Sequence, residues 1–136
     1  MAAIHHIRLS VSDLDTSTRF YSPLLEGLGF RGLPPRLTGK GEIDRLRFEK
    51  DGTVLLLGRT IEAGRHEREK PGLHHLAFSV DSRAEVERIY DEVIKNLEHV
   101  NVEDPPIDCP EYGEGYYATF FFDPDGIKLE VTFTPE

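Results

Sequence analysis

Aliphatic and aromatic side chains occupy every second position in two stretches of the chain, Ile7, Leu9 and Val11 in one and Leu76, Phe78 and Val80 in the other. A period of two marks a strand with one buried face, predicting strands over residues 4–11 and 73–80. After each, the period lengthens to that of a helix. Ser82-Arg83-Ala84-Glu85 forms a capping box, in which the Ser hydroxyl and the Glu carboxylate satisfy free N–H groups. Val86, Ile89, Tyr90, Val93 and Leu97 then recur at helical spacing. In the first half, Asp13 or Asp15 opens a helix through Phe20, Tyr21 and Leu24, which Gly27 and Gly29 stop. Pro23 interrupts that pattern. Later strands are predicted at 42–49, 53–58, 116–122 and 127–133, with Asp51-Gly52 and Asp125-Gly126 as hairpin turns.

The halves repeat one another. A shift of 69 positions lays Ile4-His5-His6-Ile7-Arg8-Leu9-Ser10-Val11 over Leu73-His74-His75-Leu76-Ala77-Phe78-Ser79-Val80. It also lays Arg19 over Arg88 and Tyr21 over Tyr90. Further on, Phe48-Glu49-Lys50-Asp51-Gly52 matches Phe122-Asp123-Pro124-Asp125-Gly126 at an offset of 74. The second module therefore has about five extra residues, most simply placed between Pro105 and Gly115. Two copies are too few for a solenoid. The reading is a single domain over residues 1–136, with module one at about 1–66, module two at about 70–136, and a link around Arg65 to Lys70.

Charge narrows the partners. The net charge is −9, and it is uneven: residues 1–68 carry 11 basic and 9 acidic side chains, residues 69–136 carry 5 and 16. An acidic chain is a poor match for nucleic acid, which needs a basic face. No apolar run approaches the roughly 20 residues of a membrane helix, and the N-terminus lacks the features of a secretory signal. With Cys109 the only cysteine, no internal disulfide can form. These features point to a soluble protein of a reducing cytoplasm.

Strand alternation then gathers the candidate chemistry. His6, Arg8 and Ser10 share one face of the first strand, opposite the apolar set that must pack on the helix. His75, Ala77 and Ser79 do the same in the second module, and Lys128, Glu130 and Thr132 in the last strand. If the modules pair about a pseudo-two-fold axis, His6, His75 and Glu130 converge. Two imidazoles and one carboxylate form a facial triad suited to Fe(II), Mn(II), Zn(II) or Ni(II). A salt bridge from Glu130 to Arg8 or Lys128 is the structural alternative.

The segments His6-x-x-Leu9-x-Val11-x-Asp13, Phe20-Tyr21, His75-x-Ala77-Phe78-x-Val80 and Phe122-Asp123-Pro124-Asp125-Gly126-x-x-x-Glu130 resemble the vicinal oxygen chelate superfamily over nearly the whole chain. That group includes glyoxalase I, extradiol dioxygenases, fosfomycin-modifying transferases, methylmalonyl-CoA epimerase and bleomycin-binding proteins. The resemblance implies an α+β fold of two βαβββ modules forming a curled, barrel-like mixed-sheet cup. It also implies a divalent metal on His6, His75 and Glu130, with a small oxygenated substrate chelated to it. Glyoxalase I resembles a four-ligand case, whose extra carboxylate would fall here at Leu56, so dioxygenase-like chemistry is favoured over lyase chemistry. The alternatives are a metal-free binder of small molecules or antibiotics and a fosfomycin-type thiol transferase. The transferase would need several cations for the phosphonate, against a strongly acidic second half. A homodimer is compatible with this scheme, because such a cup can also be assembled across subunits.

Two further residues are candidates for catalysis. Arg8 is placed to hold an anionic substrate group, with a rim salt bridge as the other reading. Tyr117 is placed to donate a proton or a hydrogen bond near the metal, or to form a wall of the cup. Alternation puts Tyr116 and Tyr117 on opposite faces, so at most one of the two lines the cavity. His5 and His74 point to the helix side, in supporting or packing roles. Arg45 and Arg47 share a face with Ile43, and one reaches the cavity mouth or solvent. Cys109 has no adjoining basic residue to activate it as a nucleophile.

Overall fold

Each half of the chain runs strand, helix, then three strands. The computed structural model describes residues 1–135, in two units, Met1–Gly64 and Arg65–Glu136. The first holds β1 (His6–Val11), α1 (Leu14–Gly27), β2 (Arg31–Leu37), β3 (Ile43–Lys50) and β4 (Thr53–Arg59). The second holds β5 (His75–Ser79), α2 (Arg83–Glu92), β6 (Asn101–Asp108), β7 (Tyr117–Phe122) and β8 (Lys128–Phe133). The sheets are ordered β1-β4-β3-β2 and β5-β8-β7-β6. In each, the first strand lies parallel to the last, and the other pairs are antiparallel. The fold class is α+β. Among the described residues no helix is long and apolar enough to cross a membrane.

The helices form where the caps demand. Asp13 accepts a hydrogen bond from the Thr16 amide at 2.9 Å, which holds its carboxyl below the usual range. Ser82 accepts one from the Glu85 amide at 3.1 Å. Helix α1 buries Leu14, Ser17, Phe20, Tyr21, Leu24 and Leu25 and lies against β2 and β4. Pro23 falls on its exposed face, and the helix continues to Gly27. Helix α2 is shorter than its apolar period predicts. Val93 leaves helical geometry, and a 3₁₀ turn over Ile94–Asn96 follows. Ile94 and Leu97 are thus buried from that turn and its end rather than from a continuous helix.

Strands β2 and β6 escape the periodicity reading because each is exposed along most of its length and interrupted by two prolines. Both carry the same irregularity. Leu33 and Arg36 lie opposite Arg47 and Arg45, so three residues of β2 match two of β3. Asp104 and Ile107 lie opposite Phe120 and Ala118 in the same way. The extra residue falls within Pro34-Pro35 and Pro105-Pro106, and it re-aims the side chains beyond it.

This bulge also corrects the alignment of the halves. The offset is 69 at the histidines, 71 at the proline pairs, 73 in β3 and β7, and 74 in β4 and β8. The five extra residues are therefore divided among three places rather than held between Pro105 and Gly115. Phe48 corresponds to Phe121, not Phe122, and both are buried.

Candidate functional site

In the second unit Phe120 lies opposite Glu130, and Ala77 lies opposite Glu130 on its other side. Parity then puts His75, Tyr116, Phe120, Glu130 and Thr132 on one face. Only 2% of Glu130 is exposed. Its Oε1 lies 3.2 Å from His75 Nε2, and its Oε2 accepts the Tyr116 hydroxyl. Burial, then the Glu130 contact, pushes the Tyr116 phenol up to about 12. It therefore keeps its proton at neutral pH. The structural alternative of a Lys128 bridge is not what forms. Lys128 pairs instead with Glu103 at 2.7 Å and sits over the Phe120 ring.

His75 is itself oriented from behind. Its Nδ1 lies 2.8 Å from Nδ1 of His74, whose Nε2 is 3.4 Å from Glu69. The first unit repeats this detail, with Nδ1 of His5 and His6 at 2.9 Å. A neighbouring group on one ring nitrogen fixes the tautomer and aims the other. Thus His5 and His74 are partners of the two candidate ligands.

Tyr117 is placed elsewhere. Its hydroxyl donates to Glu87 on α2 at 2.9 Å, its ring lies 3.9 Å beneath the Arg83 guanidinium, and Arg83 pairs with Asp108 at 2.7 Å. The phenol on the Glu130 face is that of Tyr116, not of the candidate Tyr117. Choosing between them needed the register of β7 against β8, which periodicity does not supply.

Cys109 is buried with Ala118 and Phe120. Burial raises its thiol pKa, and Glu111, Glu130, Asp104 and Asp108 add to the shift. We expect iodoacetamide to modify it about a hundredfold more slowly in the folded protein than after denaturation. Equal rates would contradict this placement.

In the first unit Arg8 lies opposite Leu56, as Ala77 lies opposite Glu130. Leu56 therefore holds the place of the carboxylate, as the sequence offset predicts, and offers no donor. Arg8 extends over Gly58, where an added Cβ would come within 2.6 Å of its Nη2. His75 and Glu130 are brought together within one unit, whereas His6 and Arg8 belong to the other. Within the second unit, among the described residues, no third His, Cys, Asp or Glu joins the pair as a metal donor. The donor set of the pair, one imidazole and one buried carboxylate, fits a divalent first-row cation.

Comparison with known proteins identifies the family. Residues 3–131 match the model of the Glyoxalase/Bleomycin resistance protein/Dioxygenase superfamily. The uncharacterized protein YqjT of Bacillus subtilis is 31% identical over 131 residues, covering 94% of this chain and 96% of that one. YaeR of Escherichia coli, also uncharacterized, is 31% identical over 129 residues, covering 94% and 93%. Among solved structures, a glyoxalase/dioxygenase from Nostoc punctiforme superposes with a TM-score of 0.72 at 27% identity, covering 98% of this chain and 92% of that one. A glyoxalase family protein from Enterococcus faecalis gives 0.68 at 27%, covering 96% of each. With a family model spanning both βαβββ units and relatives that match nearly end to end, the chain belongs to the glyoxalase/bleomycin resistance protein/dioxygenase superfamily.

Proposed function

We propose that the chain is a metal-dependent enzyme acting on a small oxygenated molecule, with His6, His75 and Glu130 as ligands of Fe²⁺, Mn²⁺, Zn²⁺ or Ni²⁺. The observation that carries this is the His75–Glu130 pair: a carboxylate almost wholly buried, facing an imidazole nitrogen at 3.2 Å, with no lysine or arginine bonded to it among the described residues. Burying a carboxylate without a cation is costly, and a divalent ion would meet that cost. Such an ion, when bound, acts as a Lewis acid that polarises adjacent oxygens of a chelated substrate.

The chain's own residues prepare the place. For His75 to offer the lone pair of Nε2, its Nδ1 must carry the proton and donate it toward His74. His5 does the same for His6. Tyr116 keeps its proton and holds Glu130 Oε2, leaving Oε1 toward His75. A leucine at position 56 in place of a fourth ligand favours dioxygenase-like over glyoxalase-type lyase chemistry. The reading requires the two units, of one chain or of two chains in a homodimer, to bring His6 to the pair.

Metal analysis of protein purified without a polyhistidine tag tests it. We expect about one divalent ion per chain, lost in His75→Ala, and oxygen uptake with members of a catechol panel. Protein without stoichiometric metal, with His75→Ala unchanged in metal affinity, would leave the superfamily's metal-free binders as the better reading.

A further inference from the structure

The two units are built alike, so the positions at which they differ report what each is for. In the second unit the places next to Glu130 and Thr132 on β7, and beyond the bulge on β6, hold Phe120, Ala118 and Ile107. The corresponding places in the first unit hold Arg47, Arg45 and Arg36. Ala77 corresponds to Arg8. Four apolar positions have become four arginines, all on the His6 face of the first sheet.

Their arrangement is specific. The guanidinium of Arg8 lies over Gly58, which has no side chain to block it. Gly58 is opposite Arg45, and Arg45 is opposite Arg36. By register Arg8 and Arg47 flank Leu56 in one row, and Gly58, Arg45 and Arg36 form the next, onto which the Arg8 side chain leans. The Pro34-Pro35 bulge is what turns Arg36 onto this face. Arg36, Arg45, Arg47 and Leu56 line an open hollow of about 380 Å³. Like charges directly opposite each other destabilise a sheet, so a row of arginines is unfavourable until an anion joins it. Neutralisation within the chain is slight. Asp44 pairs with Arg45, Arg47 donates to the Pro34 carbonyl oxygen at 3.2 Å, and among the described residues no carboxylate pairs with Arg8 or Arg36. Glu49, on the same sheet face, is held by Arg31 at 2.8 Å.

We propose that this face seats an anionic group of the substrate, a carboxylate or a phosphoryl group. Guanidinium forks match the oxygens of either in paired hydrogen bonds. Calling the anion a substrate rests on the proposed enzyme function, whereas the seat itself is made of first-unit residues alone.

Chelator-treated full-length protein, titrated calorimetrically at fixed ionic strength with phenylphosphonate, benzoate and neutral benzamide, tests the seat apart from the metal. Saturable binding of phenylphosphonate or benzoate, without binding of benzamide, is the expected result, and the tighter of the two anions identifies the group. The double variant Arg45→Gln/Arg47→Gln should weaken it about tenfold, and Arg36→Gln, an exposed position that tolerates change, about threefold. Arg31→Gln, whose guanidinium is paired with Glu49, should leave it unchanged, as should His75→Ala, which removes only a metal ligand. The proposal is overturned if neither anion binds, if benzamide binds equally, or if Arg31→Gln weakens binding as much as the cluster variants. Anion binding by a protein that, before chelation, purifies without stoichiometric metal would reject the enzyme reading and keep the seat.

Discussion

Replacing Glu130 with leucine, the residue the first unit carries at the corresponding place, is expected to lower divalent-metal affinity by more than about 100-fold, beyond the usual effect of losing an outer partner of a ligand. Turnover should fall with it. Stability should respond in another way. Glu130 is a buried carboxylate, and an apolar group of similar volume removes the cost of holding a charge there. The Tyr116 hydroxyl, however, loses its acceptor, a penalty of about 1–3 kcal/mol. Glu130→Leu combined with Tyr116→Phe should therefore melt within about 5 °C of the parent protein while still failing to bind metal. Equilibrium dialysis against Mn²⁺ or Zn²⁺ and a thermal melt provide the two readings. Metal retained at parental affinity by Glu130→Leu would remove the basis for the proposed ligand set.

The largest loss of stability is expected from Phe121→Ala. Phe121 is completely buried on the face of β7 that meets α2. Removing such a ring costs about 3–5 kcal/mol, against a total of about 5–15 kcal/mol for a domain. With ordinary urea sensitivity the unfolding midpoint should fall by about 2 M. Phe122 is one residue along, on the other face, half-buried beneath the Arg68 guanidinium. Phe122→Ala should cost less than half as much. Equal costs for the two neighbours would contradict the alternation on which every assignment of a residue to a face depends.

The βαβββ repeat was legible because its buried residues keep strict periods. Leu9 and Val11 in β1, and Val86 and Ile89 in α2, are buried where their spacing requires. What escaped the sequence has physical causes. Edge strands β2 and β6 bury little, so their pattern is polar and broken by proline. The end of α2 depends on the backbone at Val93, where the apolar spacing continues but the helix does not. Parity allows at most one of Tyr116 and Tyr117 to face the candidate site, and selecting Tyr116 required the pairing of β7 with β8. The arginine face was half visible, since Arg45 and Arg47 share a parity. Arg36 joins them only through the bulge, and the acidity of the second half masked a first unit rich in cations on one face.

The paired prolines have a further effect, on association between molecules. β2 and β6 are outermost in their sheets, and a proline there has no amide hydrogen to give to an incoming strand. Ribbon-like stacking onto those borders is thereby discouraged in both halves of the molecule. The opposite borders, β1 and β5, contain no proline, so the strands that bear the histidines keep an amide hydrogen at every residue.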